Sequence, residues 1–198
     1  MRFSSRWLGV LAAILLGLSL AGCGYNTIPT QEEEAKAKWA TVEAQYQRRA
    51  DLIPNLVATV KGYAKQEKEV LTSVTEARAK ATQVTLDPSQ LTDPEKVKQF
   101  QEAQAQLSGA LGRLLAVSEA YPDLKSNANF LALQSQLEGT ENRIAVARRD
   151  YIEAARTFNT SLRTFPTLLW AKTFFAGTKP LPEFTAAAGA EKAPEVTF

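Results

Sequence analysis

The chain contains no histidine, and its single cysteine is Cys23. Histidine is the commonest general base near neutral pH and the commonest transition-metal ligand, so its absence removes both devices together. One cysteine admits no disulfide within the chain, and without histidine no Cys/His zinc site can be assembled. A glycine-rich phosphate loop and a Gly-x-Ser-x-Gly nucleophile elbow are also missing, and no loop carries the acidic residues and glycine of a calcium site. Nor is there a surplus of one charge: 23 Lys+Arg stand against 21 Asp+Glu. That balance excludes the basic footprint of a nucleic-acid binder. The sequence therefore predicts no metal, no cofactor and no nucleic-acid partner, and it argues against an enzyme.

What is present begins at the N-terminus. Arg2 and Arg6 precede an uncharged run over residues 7–21 that closes in Leu20-Ala21-Gly22-Cys23. A basic start, an apolar stretch and small residues at a cleavage point are the layout of a secretory signal. With cysteine at that point it resembles a bacterial lipobox, where the thiol takes a diacylglycerol and cleavage leaves the cysteine first. The run is about 15 residues, short of the roughly 20 of a spanning helix. Residues 1–22 are therefore expected to be a signal peptide, with Cys23 the lipidated residue. An uncleaved membrane helix is the alternative. In both cases Arg2 and Arg6 hold the start inside, which leaves the rest outside the cytoplasmic membrane. The expected location is the cell membrane or the outer membrane, with the body facing the periplasm or the extracellular side. Gly24 leans toward the outer membrane, because an aspartate there would resemble an inner-membrane retention signal.

After residues 23–30, read as a tether, residues 31–177 predict an all-α, elongated, antiparallel up-and-down bundle. The first helix is expected from about Gln31 to Val84, on a seven-residue, coiled-coil-like register. One row reads Trp39, Tyr46, Ile53, Val60, Glu67, Val74, Ala81; its companion reads Val42, Arg49, Leu56, Tyr63, Val70, Ala77, Val84. Pro54 removes a donor and crowds the carbonyl of Ala50. The continuous register favours a kink there; a true break would raise the count of long helices from three to four. Asp93-Pro94-Glu95 opens the next helix with a cap and an N-terminal proline. Its stripe is Val97, Phe100, Gln104, Leu107, Leu111, Leu114, Ser118 and Tyr121, and Ala105, Ser108, Gly109 and Gly112 form a small-residue face suited to tight packing. A third long helix starts between Ser126 and Asn129 and runs to about Arg163, with Phe130, Leu137, Ile144, Tyr151 and Phe158 at seven-residue spacing. The first helix is too long for the second to cover, which leaves a docking surface. Phe165-Pro166 ends the third helix. Trp170, Phe174 and Phe175 crowd a short C-terminal helix that either caps the bundle or touches lipid headgroups. Residues 178–198, rich in proline and alanine, are expected to be a disordered tail, the composition turning to alanine, glycine and lone charges from Thr185.

Several segments carry a resemblance. Arg48-Arg49 and Asp51-Leu52-Ile53-Pro54-Asn55-Leu56-Val57, then Tyr121-Pro122-Asp123-Leu124-Lys125, then Leu137-Glu138-Gly139-Thr140-Glu141-Asn142-Arg143-Ile144 and Ala147-Arg148-Arg149-Asp150-Tyr151, resemble the LemA family in order. Tyr25-Asn26 and Phe165-Pro166 match its ends. The resemblance implies a bacterial membrane-anchored helical bundle with no established catalytic activity. Its members often keep an uncleaved membrane helix, from which this chain departs by its lipobox.

Arg49 and Glu67 sit on the seam of the first helix, and Glu141 borders that of the third. Buried charges are costly unless paired. They are therefore expected to form interhelical ion pairs that set register. The alternative is a polar groove for a partner segment, made by Arg48, Arg49, Asp51, Glu138, Glu141, Asn142, Arg148 and Asp150. A third reading is a carboxylate pair, Glu138 and Glu141, in an envelope hydrolase or transferase; a fourth is membrane remodelling by the aromatic tail. The first of these leads to a non-enzymatic scaffold that binds an envelope protein or a second copy of itself.

Overall fold

The computed structural model describes residues 24–184; the signal segment, Cys23 and residues 185–198 lie outside them. Among the described residues it is all helix and turn. The long helices are α1 (Thr27–Tyr63), α2 (Lys68–Gln83), α3 (Pro94–Ser118) and, after the single turn α4 (Pro122–Lys125), α5 (Ala128–Ser161); the short α6 (Thr167–Thr173) follows.

Side-chain links between distant positions define the topology. Arg78 Nε donates to the Ala50 carbonyl at 2.8 Å, so α2 folds back along the C-terminal half of α1. Ring contacts of Phe100 with Tyr46 and Trp39, and the bond from the Tyr121 hydroxyl to Glu67 at 2.8 Å, run α3 parallel to α1. Asn127 reaches the Tyr63 hydroxyl at 2.9 Å while Tyr151 packs on Trp39, so α5 runs antiparallel to α1 along nearly its whole length. The expected all-α up-and-down bundle is the observed one, with four long helices.

The fourth helix arises from a break the heptad pattern hides. α1 passes through Pro54 unbroken, as the continuous register favoured, and ends at Tyr63 instead of Val84. The chain reverses through residues 64–67. No proline marks this turn, and Ala64 is fully buried. The reversal is held from other elements: Gln66 and Glu67 both bond the Tyr121 hydroxyl at 2.8 Å. The predicted overhang of the first helix is therefore absent, because α5 matches α1 in length.

Pro54 explains the docking of α2. Its missing N–H would have served the Ala50 carbonyl, and the Arg78 guanidinium supplies that donor instead. Arg78→Met is expected to cost about 1–3 kcal/mol, because it leaves a shielded acceptor unmade. Pro54→Ala should recover part of that loss in the Arg78→Met background, since the restored N–H can bond Ala50. A double-mutant cycle by chemical denaturation reads the coupling; strictly additive effects would remove Arg78 from this role.

α3 starts as its sequence predicts, with Asp93 accepting from the Glu95 and Lys96 amides. Its predicted stripe is buried from Val97 to Ser118. Asn127 caps α5 by accepting from the Phe130 amide at 3.0 Å. The small-residue face behaves differently from expectation. A Cβ at Gly109 or Gly112 would meet nothing within 4 Å, so no helix packs there. Gly112→Ala should stabilise the protein by about 0.5–1 kcal/mol in thermal or chemical denaturation, through helix propensity alone.

Two hydrophobic clusters fill the bundle. The near one, at the end carrying Gly24, is aromatic: Trp39, Tyr46, Phe100, Tyr151 and Phe158, with Ile28. The far one is mainly aliphatic: Ile53, Leu56, Val60, Leu107, Leu111, Leu114 and Leu137, with Phe130. α2 is too short to reach the end of the near cluster. The connection after it inserts Leu86 and Leu91, and the residues after α6 insert Leu181 and Phe184, all buried. The start of the expected tail is thus part of the core: Asn159 pairs with both the N–H and C=O of Leu181 at 2.8 Å, and Phe184 stacks on Trp39. The tether is also shorter than expected, since Thr27 already begins α1 and Ile28 is buried. Pro29 is tolerated in that first turn, where its absent donor has no intrahelical partner to lose.

Candidate functional site

Between the two clusters lies a polar layer built on Arg49. The seam position that puts this side chain at an interior face of α1 leaves it 1% exposed. Its Nη1 donates to Ser108 Oγ at 2.8 Å and to Glu141 Oε1 at 2.9 Å. Its Nη2 donates to Gln104 Oε1 at 2.6 Å and to the Gln104 carbonyl at 3.3 Å. The guanidinium carbon lies 5.0 Å from the Tyr46 ring centre, a cation–π contact. Gln104 in turn donates to the Ala81 carbonyl at 3.2 Å. One arginine and one glutamine thereby join α1, α2, α3 and α5 at a single level. Helices this long would otherwise slide past one another along apolar seams, and a buried charge that finds partners at only one level penalises every slipped register.

The layer is wet on one side. The Glu141 side chain is 43% exposed although its partner is buried. Arg49 Nε, shielded from solvent, has no hydrogen-bond partner among the described residues. Beside the layer opens a cavity of about 240 Å³ between α1, the end of α2 and α3, with Glu43, Tyr46, Thr82 and Gln104 in its wall. Burial raises the pKa of the Glu43 carboxyl and of the Tyr46 phenol, the latter opposed by Arg148 and Arg49. The donors of Arg49 are largely committed to protein oxygens, so the site fixes geometry and offers no free anion clamp.

The structure separates the other sequence-predicted residues. Arg49 and Glu141 form the interhelical pair that the seam argument required. Glu67 accepts from Tyr121 at the far turn instead of pairing with a cation there. Arg48 and Asn142 are exposed, and Asp51 accepts from Gln47 on its own helix at 2.7 Å. Glu138 is exposed and accepts from Gln134, one turn away on α5, while Glu141 is engaged by Arg49, so the two carboxylates have different partners. Arg148 lies over the Phe184 ring at 4.6 Å, and Asp150 neighbours Arg149 at 4.0 Å. Of the residues that the alternative reading assigned to a polar groove, Arg49, Glu141 and Arg148 act together at Tyr46, while Arg48, Asp51, Glu138 and Asn142 are exposed. Among the described residues no three acidic, histidine or cysteine side chains come together as metal ligands.

Sequence reasoning passed over Gln104, Ser108 and Arg78. Gln104 carried a signal, as an amide within an apolar stripe. Arg78 carried none, because its partner is a carbonyl 28 residues away.

The profile of the LemA family matches residues 38–198. The magnetosome protein MamQ 2 of Paramagnetospirillum magneticum is 30% identical over 158 residues, covering 72% of this chain and 58% of its own length. The magnetosome protein MamQ of Magnetospirillum gryphiswaldense is 27% identical with the same coverage. Protein LemA of Metamycoplasma hominis is 26% identical over 140 residues, covering 71% of this chain and 60% of its own. The matched part thus spans less than two thirds of these relatives. The residues of the polar layer fall within the family match.

Proposed function

This chain belongs to the LemA family, and from that premise we propose that it is a membrane-anchored, non-enzymatic helical scaffold of the bacterial cell envelope, tethered by lipid at Cys23. One observation carries the reading: the strongest polar constellation of the bundle, Arg49 with Gln104, Ser108 and Glu141, is bound up in holding four helices in register. A body so fixed presents constant helical faces, which suits recognition of a partner. The relatives named as magnetosome proteins support a place at a bacterial membrane. The signal layout before Cys23 supports export, and two or more acyl chains give stable attachment.

The test pairs two measurements on the full chain in its own membranes. Intact mass of the extracted protein should begin at Cys23 with acyl chains added, and Cys23→Ser should abolish that species. Crosslinking in cells should then trap a stoichiometric partner, either another envelope protein or a second copy. A mass retaining Met1 would replace the lipid tether by a membrane helix. A folded, anchored protein that crosslinks to nothing would end the scaffold reading.

A further inference from the structure

The near end of the bundle carries an apolar surface that the core does not use. Phe165 is 78% exposed, Phe174 67%, Leu169 55% and Tyr25 42%. Behind these side chains, Trp170 and Phe175 of the same segment are partly buried and pack on the near core. Tyr25 contacts the Trp170 ring edge-on at 5.6 Å, the Phe174 ring at 5.8 Å and the Phe175 ring at 5.3 Å. The aromatic segment thus does cap the bundle with its inner side chains, while its outer ones point away. Clustered apolar side chains at one end of a small domain mark a contact surface.

The chain itself indicates what covers this surface. Gly24 lies against it, where a Cβ would come within 3.4 Å of Thr167, 3.7 Å of Pro166 and 3.8 Å of Trp170. Gly24 also has φ of 120°, a left-handed conformation that glycine alone adopts without strain. Cys23 is the next residue, and one residue spans at most about 3.6 Å. Whatever the N-terminal segment is anchored in therefore lies beside Phe165, Leu169 and Phe174. The charge agrees. Residues 159–182 contain no Asp or Glu, and their charged side chains are Arg163, Lys172 and Lys179. From α1, Glu32, itself paired with Lys36, lines the groove beside Phe174 and Lys179. Aromatic rings with a surplus of cations in this segment suit the headgroup region, where aromatic side chains settle and anionic lipids attract lysine and arginine.

We propose that this end is a foot that seats on the bilayer: Phe165, Leu169 and Phe174 enter the headgroup region, and the bundle stands end-on above the lipid. The inference rests on the membrane-anchored reading and adds an orientation to it. It leaves the far end, with Tyr63 and Leu131, as the part most distant from the membrane.

The test introduces the photoreactive residue p-benzoylphenylalanine into the full chain, at position 165, 169 or 174 and, as a far-end control, at 131. All four side chains are exposed, so the replacement leaves the core intact. After irradiation of whole membranes, the foot positions should yield protein carrying the mass of one phospholipid, and position 131 should not. Membrane fractionation of the same samples separates two failures. Protein recovered in the soluble fraction overturns the anchored reading and the foot with it. Protein retained in the membrane overturns the foot alone if positions 165, 169 and 174 give no lipid adduct, if they crosslink to protein instead, or if position 131 labels lipid equally.

Discussion

Arg49→Ala is expected to lower the unfolding free energy by about 3–5 kcal/mol, the largest effect of any polar substitution in this protein. The loss has two parts. Truncation strands the buried Gln104 Oε1, which the guanidinium now satisfies at 2.6 Å, whereas the exposed Ser108 keeps its bond to the Gln104 carbonyl. It also leaves a void between the near and far clusters, and core truncations cost more as the unrelaxed void grows. Two further variants separate charge from volume. Arg49→Met refills the space with an apolar chain and should cost markedly less than alanine, since apolar replacement of a buried ion pair is often close to neutral. Glu141→Gln should cost only about 1 kcal/mol or less, because that carboxylate is partly in water and its attraction is screened. Chemical denaturation of the three variants checks the order. If Glu141→Gln proved as damaging as Arg49→Ala, Coulomb attraction would dominate the layer, and its description as a hydrogen-bonded register lock would be wrong.

Trp39→Ala is expected to cost about 3–5 kcal/mol, the range for deleting a large aromatic side chain from a core. Trp39 is fully buried at the centre of the near cluster. Its ring meets Phe100 and Tyr151 with centroids 5.3 Å away and stacks on Phe184 at 5.8 Å, while its Nε1 donates to the Leu86 carbonyl at 3.3 Å. Four separate chain segments therefore lose their common contact at once. Trp39→Phe keeps most of the area and forfeits the hydrogen bond, so it should cost substantially less. Near-ultraviolet circular dichroism with denaturation reads both variants. The C-terminal segment should also loosen in Trp39→Ala, which proteolysis near Phe184 would report. An unchanged cleavage pattern would show that Asn159, through its paired bonds to Leu181, holds the segment without the tryptophan.

The polar layer shows how far the residue pattern reached. Seven-residue spacing placed Arg49 on the seam and Glu141 at its border, and the cost of a lone buried charge required that they find partners. That argument needed only helix geometry and electrostatics. It did not reach Gln104 as a second centre, because an amide in an apolar stripe is equally compatible with the rim of a core. Nor did it separate Arg148, which joins Arg49 at Tyr46, from Arg48, Asp51, Glu138 and Asn142, which share segments with the seam residues and are exposed. Spacing along one helix reports which residues share a face; which neighbour that face meets depends on the other helices.

By itself the sequence determined the all-helical class, the cap at Asp93, a helix start between Ser126 and Asn129, the buried stripes of α3 and α5, and the polarity of the seam, since each follows from interactions within a few turns of one helix. Tertiary structure alone decided three things. It decided that α1 ends at Tyr63, where no local signal stops it and Tyr121 and Asn127 hold the reversal from other segments. It decided what satisfies the Ala50 carbonyl that Pro54 leaves without a donor, because Arg78 comes from another helix. And it decided that Leu181 and Phe184, expected in a disordered tail, belong to the core, because α2 is too short to cover Trp39 and the apolar surface left open takes up whatever nearby chain can bury against it.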